Sequence, residues 1–191
     1  MATWMTHLRI GDLIFDALAA PWLDPVSFAF GSVAPDNGMP MPDGRYDPSK
    51  ETTHYGHSDD REYARFAREN LTGVADDRAY SFYLGYYLHI VADEAWVKGV
   101  YRAERRAYRD SFESDEAYNA AVKAEWDMRD FRFLRKTGAP RLLTALMNAH
   151  AMPDIECPFV PSAALEAQFV RTVAKYRASG PADVPTKYLS E

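Results

Sequence analysis

Residues 80–97 read YSFYLGYYLHIVADEAWV, and the rest of the chain can be organised around them. The stretch contains no proline and is rich in aromatic residues, which is typical of a buried helix. At 3.6 residues per turn, positions three or four apart lie on one face of a helix. That spacing makes one continuous stripe of Phe82, Tyr86, His89, Asp93, Trp96 and Val100. An imidazole and a carboxylate therefore lie one turn apart on an otherwise apolar face.

The pair formed by His89 and Asp93 needs a partner, because burying a polar or charged group alone costs free energy. A histidine and a carboxylate four residues apart on one helix face can both reach a single metal ion. The same spacing also suits a core histidine that is hydrogen-bonded to an acid one turn away. The pair taken alone leaves both interpretations open.

The rest of the sequence predicts an all-α fold, a single-domain multi-helix bundle over residues 1–180 with a poorly ordered tail over residues 181–191. Asp24-Pro25 and Ser114 have the composition of helix starts, while Pro21 and Gly138 end helical patterns. Ser58 is predicted to begin another helix, with acidic residues in its first turn. No strand pattern competes with these helical periods.

Composition excludes several functional classes. The 191 residues are 47% hydrophobic, enough for one good core, and the formal net charge is −6. An acidic balance argues against general binding of nucleic acids or anionic membranes, since both need a basic surface. The single cysteine, Cys157, excludes an internal disulfide framework. With no signal-peptide pattern and no membrane-spanning run, the expectation is a cytoplasmic protein without stable membrane association. The oligomeric state is not indicated.

A long segment between residues 34 and 58 shows neither a helical nor a strand period and is rich in proline and glycine. Connections of this length are uncommon in compact domains unless they are functional or disordered. The segment carries Asp36, His54 and His57. Asp36 can also be an ordinary Asx turn, the two histidines can be exposed loop residues, and His7 in the first predicted helix can simply help to cap it.

Four motifs together resemble the zinc-dependent phospholipase C family, which is related in fold to the P1-type nucleases. They are WMTHLRIGDLIFDAL (residues 4–18), FGSVAPDNG (30–38), KETTHYG (50–56) and FYLGYYLHIVADEAW (82–96). The resemblance covers roughly the first hundred residues in the family's order and fades after Trp96. Four motifs in register are far more specific than any single one.

The resemblance implies a metal site whose ligands are His7, Asp36, His54, His89 and Asp93. Three neutral imidazoles and two carboxylates suit zinc, and would also accept iron, nickel or manganese. The secreted members use a free N-terminal tryptophan as a ligand and hold three metals, whereas Trp4 is internal here and only His150 follows Asp93 among the histidines. One or two ions are therefore expected. Whether His57, Glu125 or Asp127 joins the site stays open.

The expected function is a metal-dependent hydrolase, in which a metal-bound hydroxide attacks a phosphoester and Asp36 or Asp93 accepts its proton. Arg9, Arg45 and Lys50 are candidates for orienting one phosphate. The acidic composition favours a small soluble phosphoester over phospholipid or nucleic acid as the substrate. The alternative is a metal-binding structural or ligand-binding protein without turnover, which a closed coordination shell would indicate.

Overall fold

The computed structural model describes residues 2–57, 60–182 and 185–188. Its helices are α1 (Trp4–Leu18), α2 (Pro25–Gly31), α3 (Lys50–Thr53), α4 (Tyr63–Asn70), α5 (Asp77–Trp96), α6 (Arg102–Tyr108), α7 (Asp115–Thr137), α8 (Arg141–Asn148) and α9 (Ser162–Arg177). The only strands in the described ranges are four two-residue strands, so the predicted all-α class is confirmed. None of the helices in those ranges is both long enough and apolar enough to cross a bilayer.

Helix α5 begins where its sequence indicates. The Asp76 side chain accepts a hydrogen bond from the backbone N–H of Ala79, which satisfies a donor that the first helical turn leaves free. At its other end α5 continues through a π-helical turn, Val97–Tyr101, into α6. The predicted stripe is buried from Phe82 to Asp93. The apolar face of α5 thus forms the centre of the bundle.

Helix α2 packs more extensively against α5 than any other element does. Two glycines permit this approach: a Cβ on Gly85 would lie 2.2 Å from the carbonyl oxygen of Phe28, and one on Gly31 would lie 2.0 Å from that of Phe82. Real Cβ atoms do not approach backbone oxygens so closely, so both positions require glycine. The crossing places the backbone at the end of α2 directly against α5.

The core around this crossing is largely aromatic. Phe66 stacks on Tyr86 at a ring-centroid distance of 5.3 Å, and Phe30 lies 5.6 Å from Phe82. Side chains of α1, α4, α8 and α9 complete this cluster. A second, smaller cluster holds Tyr118, Val122 and Trp126 of α7 against the π-helical turn. The bundle therefore surrounds α5 on several sides.

The segment that lacked periodicity contains more structure than predicted. A 3₁₀ turn (Ala34–Asp36) is followed by β1 (Met39–Pro40), which pairs antiparallel with β2 (Tyr46–Asp47). Then come α3 and a second hairpin of β3 (Gly56–His57) with β4 (Asp60–Arg61). These elements are too short to generate a sequence period, so no pattern could show them.

The helix that was predicted to begin at Ser58 begins about one turn later in the chain. Ser58 and Asp59 lie outside the described residues, and α4 starts only at Tyr63, after the second hairpin.

In the predicted tail, residues 183–184 and 189–191 also lie outside the described residues. Within it, the backbone N–H groups of Lys187 and Tyr188 donate to the Glu125 carboxylate at 2.6 and 2.9 Å.

Candidate metal centre

Three other elements bring predicted ligands towards His89 on α5. His7 lies in the first turn of α1, whose N-cap Thr3 accepts from the backbone N–H of Thr6. Asp36 ends the 3₁₀ turn after α2, and His54 is the residue that caps the C-terminus of α3. His89 projects from the middle of α5. All four side chains are buried or nearly so.

Asp36, His54 and His89 form the tightest group. One potential ligand atom from each lies within 4.8 Å of those from the other two. His54 Nε2 is 3.7 Å from Asp36 Oδ1, too long for a hydrogen bond but a separation that one ion could bridge. Two imidazole nitrogens and a carboxylate oxygen are a donor set that zinc accepts.

Each of these three side chains is held by a hydrogen bond on the side away from the group. His89 Nδ1 donates to the carbonyl oxygen of Ser32 at 2.9 Å, and His54 Nδ1 lies 2.9 Å from the Thr53 hydroxyl oxygen. Asp36 Oδ2 accepts from Trp4 Nε1 at 3.1 Å. Partners of this kind orient metal ligands and set the histidine tautomer.

The inward-facing atoms of the same side chains have no hydrogen-bond partner among the described residues. They are Nε2 of His54, Nε2 of His89 and Oδ1 of Asp36. Buried polar atoms are normally satisfied, and three orphans in one group call for a common partner. A zinc ion would satisfy all three, so the residues present fit the metal.

His7 lies against this group but not within its tightest part. Its ring stacks on His89 with centroids 3.7 Å apart and planes inclined by 13°. Both of its nitrogens are buried without a hydrogen-bond partner in the described part of the chain. His7 is therefore available as a further ligand.

Asp93 is placed differently from the expectation. Its Oδ2 accepts from Arg61 Nη2 at 2.9 Å and its Oδ1 accepts from the backbone N–H of Ala2 at 3.0 Å. His54 Nε2 is 3.9 Å from Oδ2. The carboxylate is thus next to the candidate ligands, yet both of its oxygens already have donors.

The electrostatics keep the imidazoles in their metal-binding form. Burial lowers the pKa of His7 and of His89, and it lowers that of His54 to about 3. All three are therefore neutral at physiological pH, as coordination requires. Burial favours the neutral form of Asp36, but nearby His89 and Lys50 hold the pKa of its carboxyl below the ordinary value. An anionic ligand remains available.

A pocket of about 380 Å³ opens beside this group. His54, Asp93 and Arg61 lie in its wall, and five further polar side chains line it: Lys50, Glu51, His57, Asn119 and Lys123. The remaining wall is partly apolar, from Val97, Tyr101, Val122 and Trp126. A molecule in this pocket would meet both cationic groups and the buried candidate ligands.

Other residues considered from the sequence lie elsewhere. His57 is exposed and lies 3.5 Å from Glu51, although it reaches the pocket rim. Asp127 is paired with Lys175, and Glu125 holds the tail segment. Asp130, which also lies on α7, is buried.

Asp130 is buried because its carboxylate joins two helices. It accepts from the hydroxyls of Thr3 at 2.7 Å and Tyr176 at 3.0 Å. Burial raises the pKa of this carboxyl to about 6. Of the basic residues considered for phosphate, Lys50 lines the pocket, whereas Arg9 stacks over Phe133 and Arg45 pairs with Asp43.

Two residues of the site were missed from the sequence. Arg61 stands among ordinary charged residues, and nothing in its spacing separates it from them. Trp4 was considered as core or as a departure from the resembled family, not as a donor to Asp36. The available signal was spacing: Trp4 lies three residues before His7, so both side chains lie on one face of the helix.

The comparisons with known proteins agree with this geometry. A family model described as "Zinc dependent phospholipase C" matches residues 6–182. Neither the curated proteins nor the solved structures gave a match. The family match extends well beyond the first hundred residues in which the motifs occur.

Proposed function

Because this chain belongs to the zinc-dependent phospholipase C family, we propose that it is a zinc-dependent phosphoesterase acting on a small soluble phosphoester. The observation that carries the proposal is the convergence of three unpartnered ligand atoms, from Asp36, His54 and His89, beside a pocket lined by basic groups. The same proposal treats residues 1–180 as one metal-binding domain.

The proposed ligands are Asp36, His54 and His89, and three protein ligands would leave a position on zinc for water or substrate. His7, stacked on His89, lies beside them. When bound, zinc polarises a phosphoryl oxygen and generates a nucleophile from water at neutral pH. The protein's part is to hold the ligands without reorganisation. Ser32, Thr53 and Trp4 do so from the far side of the rings and carboxylate.

The cationic residues of the pocket suit a phosphate group. Lys50 and Lys123 line it, and the Arg61 guanidinium is fixed in its wall by Asp93 and by the carbonyl oxygen of Ile90, at 2.7 Å. Lysine and arginine bind phosphate by charge-assisted hydrogen bonds. The net charge of the chain is acidic, so this local basic surface favours a single phosphate over a polyanion.

Asp36 is the better candidate to accept the proton that the reaction releases. Its Oδ1 accepts no hydrogen bond in the described structure and lies 3.7 Å from Lys50 Nζ, so of its two lone pairs one could bind zinc and the other could take the proton, while both oxygens of Asp93 already accept hydrogen bonds. A proton acceptor needs a free lone pair within reach of the reacting atoms. We propose that Asp93 acts electrostatically, by holding the positively charged Arg61 guanidinium in the wall of the pocket.

Substrate size follows from the pocket. A volume of about 380 Å³ is at the small end of ligand sites, enough for a phosphate with a modest organic group. The aromatic and aliphatic part of the wall, including Tyr101 and Val122, would contact that organic group. These dimensions support a small substrate.

The test is a substrate panel assayed with zinc-loaded protein. Soluble phosphomonoesters and phosphodiesters are compared with phosphatidylcholine vesicles and with single-stranded DNA, each with and without chelator. We expect hydrolysis of a soluble ester that chelator abolishes and His54→Ala removes. Zinc-loaded protein that hydrolyses none of the esters would overturn the proposal.

The second candidate is a metal-binding protein without turnover. It is favoured by one observation: the ligand side chains of His7, His54 and His89 are almost completely buried, as in closed structural sites. A structural ion would raise the unfolding temperature strongly while the panel showed no activity. Those two readouts separate the candidates.

A further inference from the structure

The pairing of Arg61 with Asp93 has a bearing on how many metal ions the site can hold. We infer that the positive charge of the Arg61 guanidinium takes the place of a second metal ion, so that the chain binds one zinc. This inference rests on the proposed zinc site but concerns its stoichiometry, and it departs from the three-metal arrangement of the secreted phospholipases.

The first argument is the hydrogen bonding of Asp93. Asp93 gives Oδ2 to Arg61 and Oδ1 to the N–H of Ala2. A second ion at this carboxylate would lie beside the Arg61 guanidinium and would compete with it for the same negative charge. Displacing Arg61 to make room would leave a guanidinium buried without its counter-charge, which is strongly unfavourable.

The second argument is that Arg61 cannot easily move away. Its side chain is only 4% exposed, and it donates to Asp93 at 2.9 Å and to the carbonyl oxygen of Ile90 at 2.7 Å. Both acceptors lie on α5, so the guanidinium is clamped to the helix that carries His89. Such a two-point attachment uses the fixed fork geometry of arginine.

The third argument is charge. Two buried carboxylates, Asp36 and Asp93, face the buried Arg61 guanidinium and the Lys50 ammonium, which lies 3.7 Å from Asp36 Oδ1, so the protein's own charges already balance before one zinc ion adds two positive charges. A second dication would add two more positive charges within a few ångströms of Arg61 in a site with little water to screen them. His54 Nε2 lies 3.9 Å from the Asp93 oxygen that Arg61 binds, so the guanidinium charge lies beside the proposed ligands.

His7 is consistent with one ion. Its unpartnered nitrogens could suggest a second metal, but of the carboxylates near it Asp93 is already engaged and Asp36 belongs to the first ion. His7 stacks on His89, a proposed ligand, so its nitrogens lie beside the same ion and do not require a second one.

The experiment measures zinc per chain. Metal-free wild type is titrated with zinc by calorimetry, and the loaded protein is desalted and analysed for metal. Arg61→Met removes the charge at similar length, Arg61→Lys keeps the charge, and Arg65→Met is a matched control at a half-exposed arginine that pairs with Glu62. We expect one zinc in wild type, Arg61→Lys and Arg65→Met, and a second, weaker zinc only in Arg61→Met.

The outcomes distinguish this inference from the proposed function. Two or more tightly held ions in wild type, or one ion in both wild type and Arg61→Met, overturns the inference while leaving a zinc enzyme in place. A wild type that binds no zinc overturns the proposed function and the inference with it. If Arg61→Met does not fold, the wild-type titration alone decides, because saturation at one equivalent supports the inference and a second equivalent contradicts it.

Discussion

The imidazole rings of His7 and His89 stack face to face, with centroids 3.7 Å apart and an interplanar angle of 13°. One ring is on α1 and the other on α5, so the contact joins the first helix to the central one. Stacked imidazoles at this distance are compatible when neutral, whereas two imidazolium ions would repel. Burial, which lowers the pKa of both rings, keeps them neutral.

Metal-free protein should lose stability as the pH falls from 7.5 to 5. His7, His54 and His89 have folded-state pKa values below the unfolded value of about 6.5, so the unfolded chain binds more protons in this range. Their contribution is fully present above about pH 6.5 and is lost as the pH falls towards the folded pKa, about 3 for His54. Each histidine contributes up to about 1.4 kcal/mol per pH unit to the slope of the unfolding free energy against pH. Urea unfolding in the presence of chelator measures this slope.

The variants His54→Ala and His57→Ala test whether buried histidines cause that slope. His57 is exposed, with 78% of its side chain accessible, so His57→Ala is the control for a histidine outside the buried group. Removing His54 should reduce the slope. Equal slopes in wild type and His54→Ala would show that His54 is not buried in the neutral form.

Replacing His89 with alanine should remove stoichiometric zinc. His89 supplies one of the three converging ligand atoms and is fixed by Ser32, so its loss leaves only two of the three. Metal analysis of purified protein measures the loss, and hydrolysis should fall to the level seen with chelator. His57→Ala is the control and should retain zinc. Full zinc content in His89→Ala would refute the ligand assignment.

Trp4→Phe should weaken zinc binding without removing it. The substitution keeps an aromatic ring but deletes the 3.1 Å hydrogen bond from the indole to Asp36 Oδ2. Losing a partner of this kind typically costs 10–100-fold in metal affinity, which is the range we expect. Competition with a chromophoric chelator measures the affinity. Trp22→Phe, at a 42% exposed tryptophan, is the matched control; an affinity equal to wild type in Trp4→Phe would contradict the role.

Gly85→Ala should be severely destabilising. Its Cβ would lie 2.2 Å from a backbone oxygen of α2, and neither helix can yield without disturbing the core. We expect a loss of about 3 kcal/mol or more, or failure to fold. Gly99→Ala is the control, because a Cβ there would meet no described atom within 4 Å. Similar unfolding free energies for the two variants would mean that the close crossing does not exist.

Much of the fold was predictable because its signals are local. The helix caps at Asp24, Asp76 and Ser114 each accept the hydrogen bond that their residue type predicts. The apolar stripe of α5, buried from Phe82 to Asp93, also followed from spacing. Residues that act within one or two turns leave a pattern in the sequence.

The parts that could not be predicted depend on contacts between distant segments. The bond from Arg61 to Asp93 joins a two-residue strand to α5, and no periodicity records it. Burial of Asp130 likewise requires Thr3 and Tyr176 from two other helices. Asp93 is a ligand in the set that the family resemblance implies, and helical spacing fixes the direction of its side chain but not which hydrogen-bond donors reach it. The identities of the ligands stay a prediction until metal is measured.

The glycine crossing of α2 and α5 also decides where this protein can be redesigned. Neither Gly31 nor Gly85 can carry any side chain, so a substitution at either position would disrupt the packing of α2 against α5 that holds the ligands in place. The far wall of the pocket, at Tyr101, Asn119 and Lys123, belongs to other elements. A mutant library confined to those three positions would sample new substrate preferences on an unchanged scaffold.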